Sequence, residues 1–191
     1  MKKKKVYEYL YTMFFMILIS LVFVFPLCFL YNKTAPLIKA GQASAQKKAI
    51  LYAAGIYSAD INAAYRQLIR ENGVFFHAEK ENPVLGIIAS GPGLWGEITA
   101  AVFFSPDGGM ITGIDFISQN ETPGLGARIA ETRFKEQFRG KKIPVRIKKE
   151  NSPSENSFDA VTGASISSAA VMNIINSAAE KISSRGKNSE K

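Results

Sequence analysis

The feature that most constrains this chain is a run of 24 uncharged residues, 9–32, between Glu8 and Lys33. Phe, Leu, Ile, Met and Val dominate the run. As an α-helix it would be about 36 Å long, which exceeds a hydrocarbon core of about 30 Å and allows some tilt. Tyrosines at both ends suit the membrane interface, and a lipid-embedded helix tolerates Pro26. We therefore predict one transmembrane helix.

The flanks of the run predict its fate and its orientation. It is longer than the roughly 7–15 residues of a signal-peptide core, and the nearest small-x-small pattern, at 43–45, lies more than ten residues beyond it. This favours an uncleaved anchor over a cleaved signal peptide. The four lysines at 2–5 should stay in the cytoplasm, although four more lysines between 33 and 48 oppose that rule. We predict a cytoplasmic segment 1–8, with all residues after the span outside the cytoplasm.

Charge and composition argue against two classes of site. The net charge is +8, but without the first 32 residues the chain has 20 basic and 15 acidic side chains, a balance of +5. That excess is too small to indicate nucleic-acid binding. One cysteine and one histidine cannot supply the three or four ligands that zinc or iron–sulfur centres usually need. We expect no nucleic-acid partner, no metal site and no Cys–His catalytic pair.

Beyond the span, the pattern changes from helical to strand-like. Residues 36–57 have helical spacing with Gly55 as a stop, and residues 60–70 repeat this more weakly, so we assign 33–70 to linking helices. The predicted strands are 74–77, 84–90, 97–104 and 110–117. After them we predict an amphipathic helix at 126–138, an edge strand at 144–148, a polar loop at 151–157 and a last helix after 165.

These elements predict an α+β fold. A single N-terminal transmembrane helix precedes one domain, residues 71–184, in which a mainly antiparallel sheet packs against helices. Residues 185–191 form a charged tail.

Three glycine-containing loops interrupt the strands. They contain Gly-Leu-Trp-Gly at 93–96, Glu-Thr-Pro-Gly-Leu-Gly at 121–126 and Asp-Ala-Val-Thr-Gly-Ala-Ser at 159–165. Each alone is most simply a turn, and Ser or Thr before a helix is an ordinary N-cap. Together they bring the only tryptophan, an exposed-looking Glu-Thr pair and a hydroxyl-rich helix start into one domain. Helix N-termini bind phosphate, so the set indicates a flat, phosphorylated ligand.

The three motifs resemble those of FMN-binding subunits of bacterial respiratory membrane complexes. These are the NqrC subunit of the sodium-translocating NADH:quinone oxidoreductase and the RnfG subunit of the Rnf ferredoxin:NAD oxidoreductase. The resemblance extends from the membrane span to the last helix, and the Gly-Leu-Trp element is closer to the quinone-reductase type. It implies FMN joined through its phosphate to the last hydroxyl of a Ser/Thr-Gly-Ala-Thr/Ser element, which here is Ser165. Most members have threonine at that position.

The resemblance also implies the other site residues and the partners. The FMN-binding residues would be Leu94, Trp95, Glu121, Thr122, Gly124, Leu125, Thr162, Gly163, Ala164 and Ser165. A flavin transferase that uses FAD and Mg²⁺ would attach the FMN outside the cytoplasm, and other membrane subunits would complete the complex in the cytoplasmic (inner) membrane. The chain would then be an electron carrier with no catalytic side chains. Two alternatives are a membrane-anchored scaffold without flavin and a stand-alone extracytoplasmic flavoprotein.

Overall fold

A computed structural model describes residues 2–71, 73–77, 84–148 and 154–186. The chain divides into two compact units, Met1–Ser44 and Ala45–Lys191. The predicted loop at 151–157 is described only from residue 154, and most of the predicted tail lies outside the described residues.

The first helix, α1, runs from Lys2 to Ala53. It combines the predicted membrane helix with the first predicted linking helix, at 36–57, and it contains both Pro26 and Pro36. Its most apolar stretch has a mean hydropathy of 2.8, and by length and composition it is the one helix among the described residues that could cross a membrane. The hydroxyl of Thr12 donates to the carbonyl of Glu8 at 2.9 Å, which satisfies a polar group inside an apolar helix.

The second unit is built on a five-stranded antiparallel sheet. Its strands lie in chain order and each pairs with the next. They are β1 (Ile69–Glu71), β2 (Val74–His77), β3 (Val84–Pro92), β4 (Glu97–Phe104) and β5 (Ile111–Ser118). A short helix, α2 (Ile61–Arg66), precedes them, and a 22-residue helix, α4 (Ser165–Gly186), ends the described fold.

Both faces of the interior strand β4 are covered, which explains its unbroken apolar run at 100–104. Val102 and Phe104 point into the core shared with α4, whereas Ala101 and Phe103 point into the core that contains Ile50 near the end of α1. Side chains alternate between the two faces of a strand, so a strand buried on both faces needs apolar residues at consecutive positions. The α+β class with a mainly antiparallel sheet is confirmed.

Three local predictions were wrong. The helix expected at 126–138 is a 3₁₀ turn (Gly126–Ala130), a short helix α3 (Thr132–Lys135) and a second 3₁₀ turn (Glu136–Phe138). Glu131, with φ −66° and ψ 142°, is extended and interrupts it. An amphipathic helix over this range would turn Ile129, Ala130, Phe134 and Phe138 towards the core; Ile129, Phe134 and Phe138 are buried, but Ala130 is exposed.

The other two errors concern strands. The expected helix at 60–70 is shorter, because β1 occupies its last residues. The expected edge strand at 144–148 reduces to β6 (Arg146–Ile147), which pairs in parallel with β7 (Ser157–Phe158). Pairing with a distant segment that was predicted as loop is a tertiary effect, and periodicity within either segment could not reveal it.

Candidate functional site

The three motif loops converge at one end of the sheet. The loop at 93–96 joins β3 to β4, the loop at 119–125 follows β5, and the loop at 159–164 leads into α4. Between them lies a pocket of about 300 Å³. Its lining residues come from all three motifs and from the first turn of α4: Leu94, Glu121, Thr122, Leu125, Gly126, Gly163, Ala164, Ser165, Ile166 and Ser167.

Glu121 is the residue that joins the loops. Its Oε1 accepts hydrogen bonds from the backbone N–H groups of Leu94, at 2.9 Å, and Trp95, at 3.2 Å. Its Oε2 accepts a hydrogen bond from the Ser167 hydroxyl at 2.5 Å. The sequence interpretation of Glu121 as exposed was therefore wrong, since only 5% of the residue is accessible. A carboxylate that accepts several hydrogen bonds can be buried without a cation because each bond replaces a contact with water.

Two glycines make room for this carboxylate. A Cβ on Gly126 would lie 2.6 Å from both Glu121 Oε2 and Ser167 Oγ. A Cβ on Gly93 would collide with Glu121 Oε1 and would lie 2.9 Å from Ile98 Cδ1. These glycines of the first two motifs are thus explained by close packing around Glu121.

The start of α4 presents one accessible hydroxyl to the pocket. Ser167 and Ser168 are buried, and Ser168 Oγ accepts from the Val161 N–H and donates to the Ala164 carbonyl, both at 3.0 Å. Ser165 is the first residue of α4 and is exposed, and its hydroxyl has no hydrogen-bond partner within the described residues. The amides of the first turn of a helix lack intrahelical acceptors, so this hydroxyl stands beside free N–H donors.

Gly163 shapes the approach to this helix. Its φ is +77°, a left-handed conformation that favours glycine. An added Cβ would also lie 3.2 Å from Leu125 Cδ2, one of the apolar residues of the pocket. The short turn before α4 therefore depends on glycine for both its backbone conformation and its packing.

The other side of the 159–164 loop borders a separate cavity of about 380 Å³. Thr162 and Asp159 lie on that side, with the side chains of Arg128 and Arg133. The Gln137 amide holds the loop there, because its Oε1 accepts from the Asp159 N–H at 2.8 Å and its Nε2 donates to the Asp159 carbonyl at 3.3 Å.

Strong electrostatic effects occur away from the pocket. Hydrogen bonds from Arg139, and secondarily from Tyr52, lower the pKa of Glu136 to about 2. These three residues do not line the pocket.

Among the described residues, no cluster of three or more His, Cys, Asp or Glu side chains is placed to hold a metal ion.

The structure brings together seven of the ten sequence-predicted site residues around the pocket. The other three, Trp95, Gly124 and Thr162, are exposed and do not line it. The prediction missed Gly126, Ile166 and Ser167. Ser167 has no distinguishing local signal, because its partner Glu121 is 46 residues away in the sequence.

Comparison with known proteins gives a family for the same region. Residues 93–180 match the family described as FMN-binding domain. The chain is 35% identical over 111 residues to the RnfG subunit of the proton-translocating ferredoxin:NAD(+) oxidoreductase complex of Clostridium ljungdahlii, covering 56% of this chain and 59% of that protein. It is 32% identical over 107 residues to the NqrC subunit of the Na(+)-translocating NADH-quinone reductase of Vibrio vulnificus, covering 50% of this chain and 42% of that protein. The chain thus matches less than two thirds of the length of either relative.

Solved structures share the fold. The crystal structure of the NqrC subunit of the Na(+)-translocating NADH-quinone reductase from Parabacteroides distasonis superposes with a TM-score of 0.65 at 23% identity, over 76% of this chain and 94% of that one. NqrC from Shewanella oneidensis gives a TM-score of 0.54 at 17% identity, over 72% and 91%. The sequence matches and the pocket formed by the three motifs point to the same region: residues 93–180 match the FMN-binding domain family, and the chain is similar to the NqrC subunit of the Na(+)-translocating NADH-quinone reductase and the RnfG subunit of the ferredoxin:NAD(+) oxidoreductase complex.

Proposed function

We propose that this chain is an electron-transfer subunit that carries FMN, attached through a phosphoester to Ser165. The complex would be of the NADH:quinone or the ferredoxin:NAD oxidoreductase type and would translocate sodium ions or protons. The observation that carries the attachment site is the contrast among three serines at one helix start. Ser167 and Ser168 are buried and hydrogen-bonded, whereas the Ser165 hydroxyl lies at the pocket without a partner among the described residues.

The residues around Ser165 fit a phosphate ester. A phosphodiester retains a negative charge, and the N-terminus of a helix stabilises such a charge by about 0.3–1 kcal/mol at an exposed position. The first amides of α4 can donate to the phosphate oxygens. Ala164, which precedes Ser165, is small and buried, so it leaves space in front of the helix.

The pocket also fits a flat ring. Leu94, Leu125 and Ile166 are exposed by 51%, 46% and 58%, although they lie together at the pocket. A ring bound there would cover this apolar surface, and removal of apolar surface from water is favourable. FMN supplies the redox chemistry by accepting and donating electrons, while the protein binds and orients it. The residues of this chain would therefore hold the phosphate, cover the ring and exclude water.

Attachment would need a separate flavin transferase with FAD as donor. The bond between Ser165 Oγ and the FMN phosphorus forms, and the bond between that phosphorus and the bridging pyrophosphate oxygen breaks. AMP leaves with the bridging oxygen, and the hydroxyl proton is released.

The domain would lie outside the cytoplasm, in agreement with the positive-inside orientation expected from the lysines at 2–5, with the apolar part of α1 as the single membrane span. Covalent attachment would prevent loss of the cofactor by diffusion.

Substitution of Ser165 tests the attachment. The full chain is co-expressed with a flavin transferase, denatured, separated on a gel and examined for flavin fluorescence, and its intact mass is measured. Ser165→Ala should remove both the fluorescence and the mass of one FMN less water. Ser165→Thr should retain them, because it keeps a hydroxyl oxygen. The control Ser177→Ala removes an exposed serine from the same helix and should have no effect.

Two results would contradict the proposal. Fluorescence that survives Ser165→Ala but disappears in Thr162→Ala would move the attachment to Thr162. Wild-type protein with no added mass would indicate a scaffold without flavin. Purification of the native complex from membranes tests the partners, since recovery of the flavoprotein alone would indicate a stand-alone carrier.

A further inference from the structure

Glu121 is unusual among the described residues. Of the charged residues that the structure describes, it is the one that is buried, with 5% of its surface accessible. No ion pair involves it within that part of the chain. A buried carboxylate without a cation is unfavourable unless its oxygens accept hydrogen bonds. Glu121 meets this condition, because its two carboxylate oxygens accept three hydrogen bonds.

The hydrogen bonds of Glu121 run in two directions. One carboxylate oxygen accepts from two consecutive amides of the 93–96 loop, those of Leu94 and Trp95. The other accepts from Ser167, in the first turn of α4 and two residues after Ser165. One side chain thus links the loop on one side of the pocket to the helix start on the other.

We infer that Glu121 is the positioning residue of this pocket, which holds the Leu94–Trp95 loop against the start of α4 so that Leu94 faces the ring bound beside Ser165. This inference rests on the proposed function for the identity of the ring. Glu121 acts through the loop and the helix. Without the carboxylate the two loop amides lose their acceptor, and the loop is free to move away from the helix. A hydrogen bond to a charged group stabilises the loop position in which it forms. Loss of one such bond should therefore lower the population of the ordered loop, relative to the displaced loop, by about 10- to 100-fold.

Trp95 provides a direct reporter for this loop. It is the only tryptophan of the chain, the residue is 69% exposed, and its backbone N–H donates a hydrogen bond to Glu121. Steady-state anisotropy of its fluorescence therefore measures the mobility of this loop, with or without flavin. In flavin-loaded protein, energy transfer from Trp95 to the flavin measures how close the loop lies to the ring.

The experiment uses the full chain in detergent micelles, in flavin-loaded form and in a flavin-free Ser165→Ala background. Glu121→Ala removes both links. Glu121→Gln keeps an oxygen for the two loop amides and an NH₂ group that can donate to Ser167 Oγ, so it should restore the wild-type signals. Ser167→Ala breaks only the link to α4. Glu131→Gln is the control, because Glu131 is exposed, pairs with Arg128 at 3.2 Å and lies outside the pocket.

We expect Glu121→Ala to lower the fluorescence anisotropy of Trp95 at temperatures well below the unfolding temperature. At equal flavin content, it should also lose the quenching of Trp95 fluorescence by the flavin. Glu121→Gln and Glu131→Gln should match the wild type. If Glu121→Ala does not fold, Ser167→Ala carries the test and should lose quenching by the flavin while remaining folded. Unchanged anisotropy and quenching in the folded variants would overturn the inference. Failure of the proposed function is distinct, because it would appear as absence of flavin from the wild-type protein.

Discussion

Substitution of Gly126 by alanine should destabilise the domain because the new Cβ disrupts the hydrogen bond between Ser167 and Glu121. The new Cβ would lie 2.6 Å from Glu121 Oε2 and from Ser167 Oγ, and 2.9 Å from Glu121 Cβ. Ordinary contacts with a Cβ are at least about 3.4 Å, so the 2.5 Å hydrogen bond between the two side chains must break or move. Gly126 does not have a positive φ, so the effect is steric and not a result of backbone strain.

The magnitude follows from two contributions. Overpacking a tight site costs about 1–3 kcal/mol, and loss of a buried hydrogen bond to a charged group costs about 1.5–3 kcal/mol. Partial relaxation makes the two less than additive, and we expect a loss of about 3 kcal/mol in the free energy of unfolding. For a protein of this size that corresponds to a decrease in Tm of about 6–12 °C.

Differential scanning calorimetry of the full chain in detergent micelles measures this decrease. Gly124→Ala is the matched control in the same motif. Gly124 has a φ of +77° and nothing within 4 Å of an added Cβ, so alanine there introduces backbone strain alone. The expected cost is about 1–2 kcal/mol, smaller than at Gly126.

A double-mutant cycle tests the steric explanation directly. In a Glu121→Ala background the contact with Oε2 and its hydrogen bond to Ser167 are absent, whereas the contacts with Ser167 Oγ and the Cβ of residue 121 remain, so Gly126→Ala should cost less than in the wild type by about the 1.5–3 kcal/mol of that hydrogen bond. Neighbouring residues that share an interaction are expected to be non-additive in this way. Equal costs in the two backgrounds, or a cost at Gly126 no larger than at Gly124, would refute the steric explanation.

Two further predictions concern stability outside the pocket. The pKa of Glu136 is lowered to about 2 by hydrogen bonds from Arg139 and Tyr52, so its contribution to stability is complete above its ordinary pKa of 4.5 and is lost as the pH falls towards 2. Glu136→Gln should therefore flatten the dependence of Tm on pH in that interval, and an unchanged slope would contradict this. Asp60 caps α2 by accepting hydrogen bonds from two backbone amides of its first turn, so Asp60→Ala should cost about 1 kcal/mol in denaturant unfolding, whereas Asp60→Asn should cost much less.

Several features of the fold could be predicted because their causes are local. The apolar run at 9–32 by itself predicts a membrane helix, because about 20 consecutive apolar residues are enough to cross a bilayer as a helix. Apolar, strand-like runs and the turn residues at 105–109 between them predicted the limits of β4 correctly and those of β5 to within one residue. The helix limits were less accurate. The interruption at Glu131 leaves Ile129, Phe134 and Phe138 in the buried positions that a continuous helix would also give them, so periodicity could not detect it.

The sequence by itself indicated the site, because each of its three motifs is a continuous stretch of the chain and together they carry the resemblance to the FMN-binding family. The tertiary structure decided how the site is built. Glu121 is linked to Leu94 and Ser167, which lie 27 and 46 residues away in the chain, so neither its burial nor the role of Gly126 has a local signature. The same packing distinguishes Ser165 from Ser167 and Ser168. The three are serines within four consecutive positions, so the sequence does not distinguish them. In the folded chain, the hydroxyls of Ser167 and Ser168 are buried and that of Ser165 is accessible.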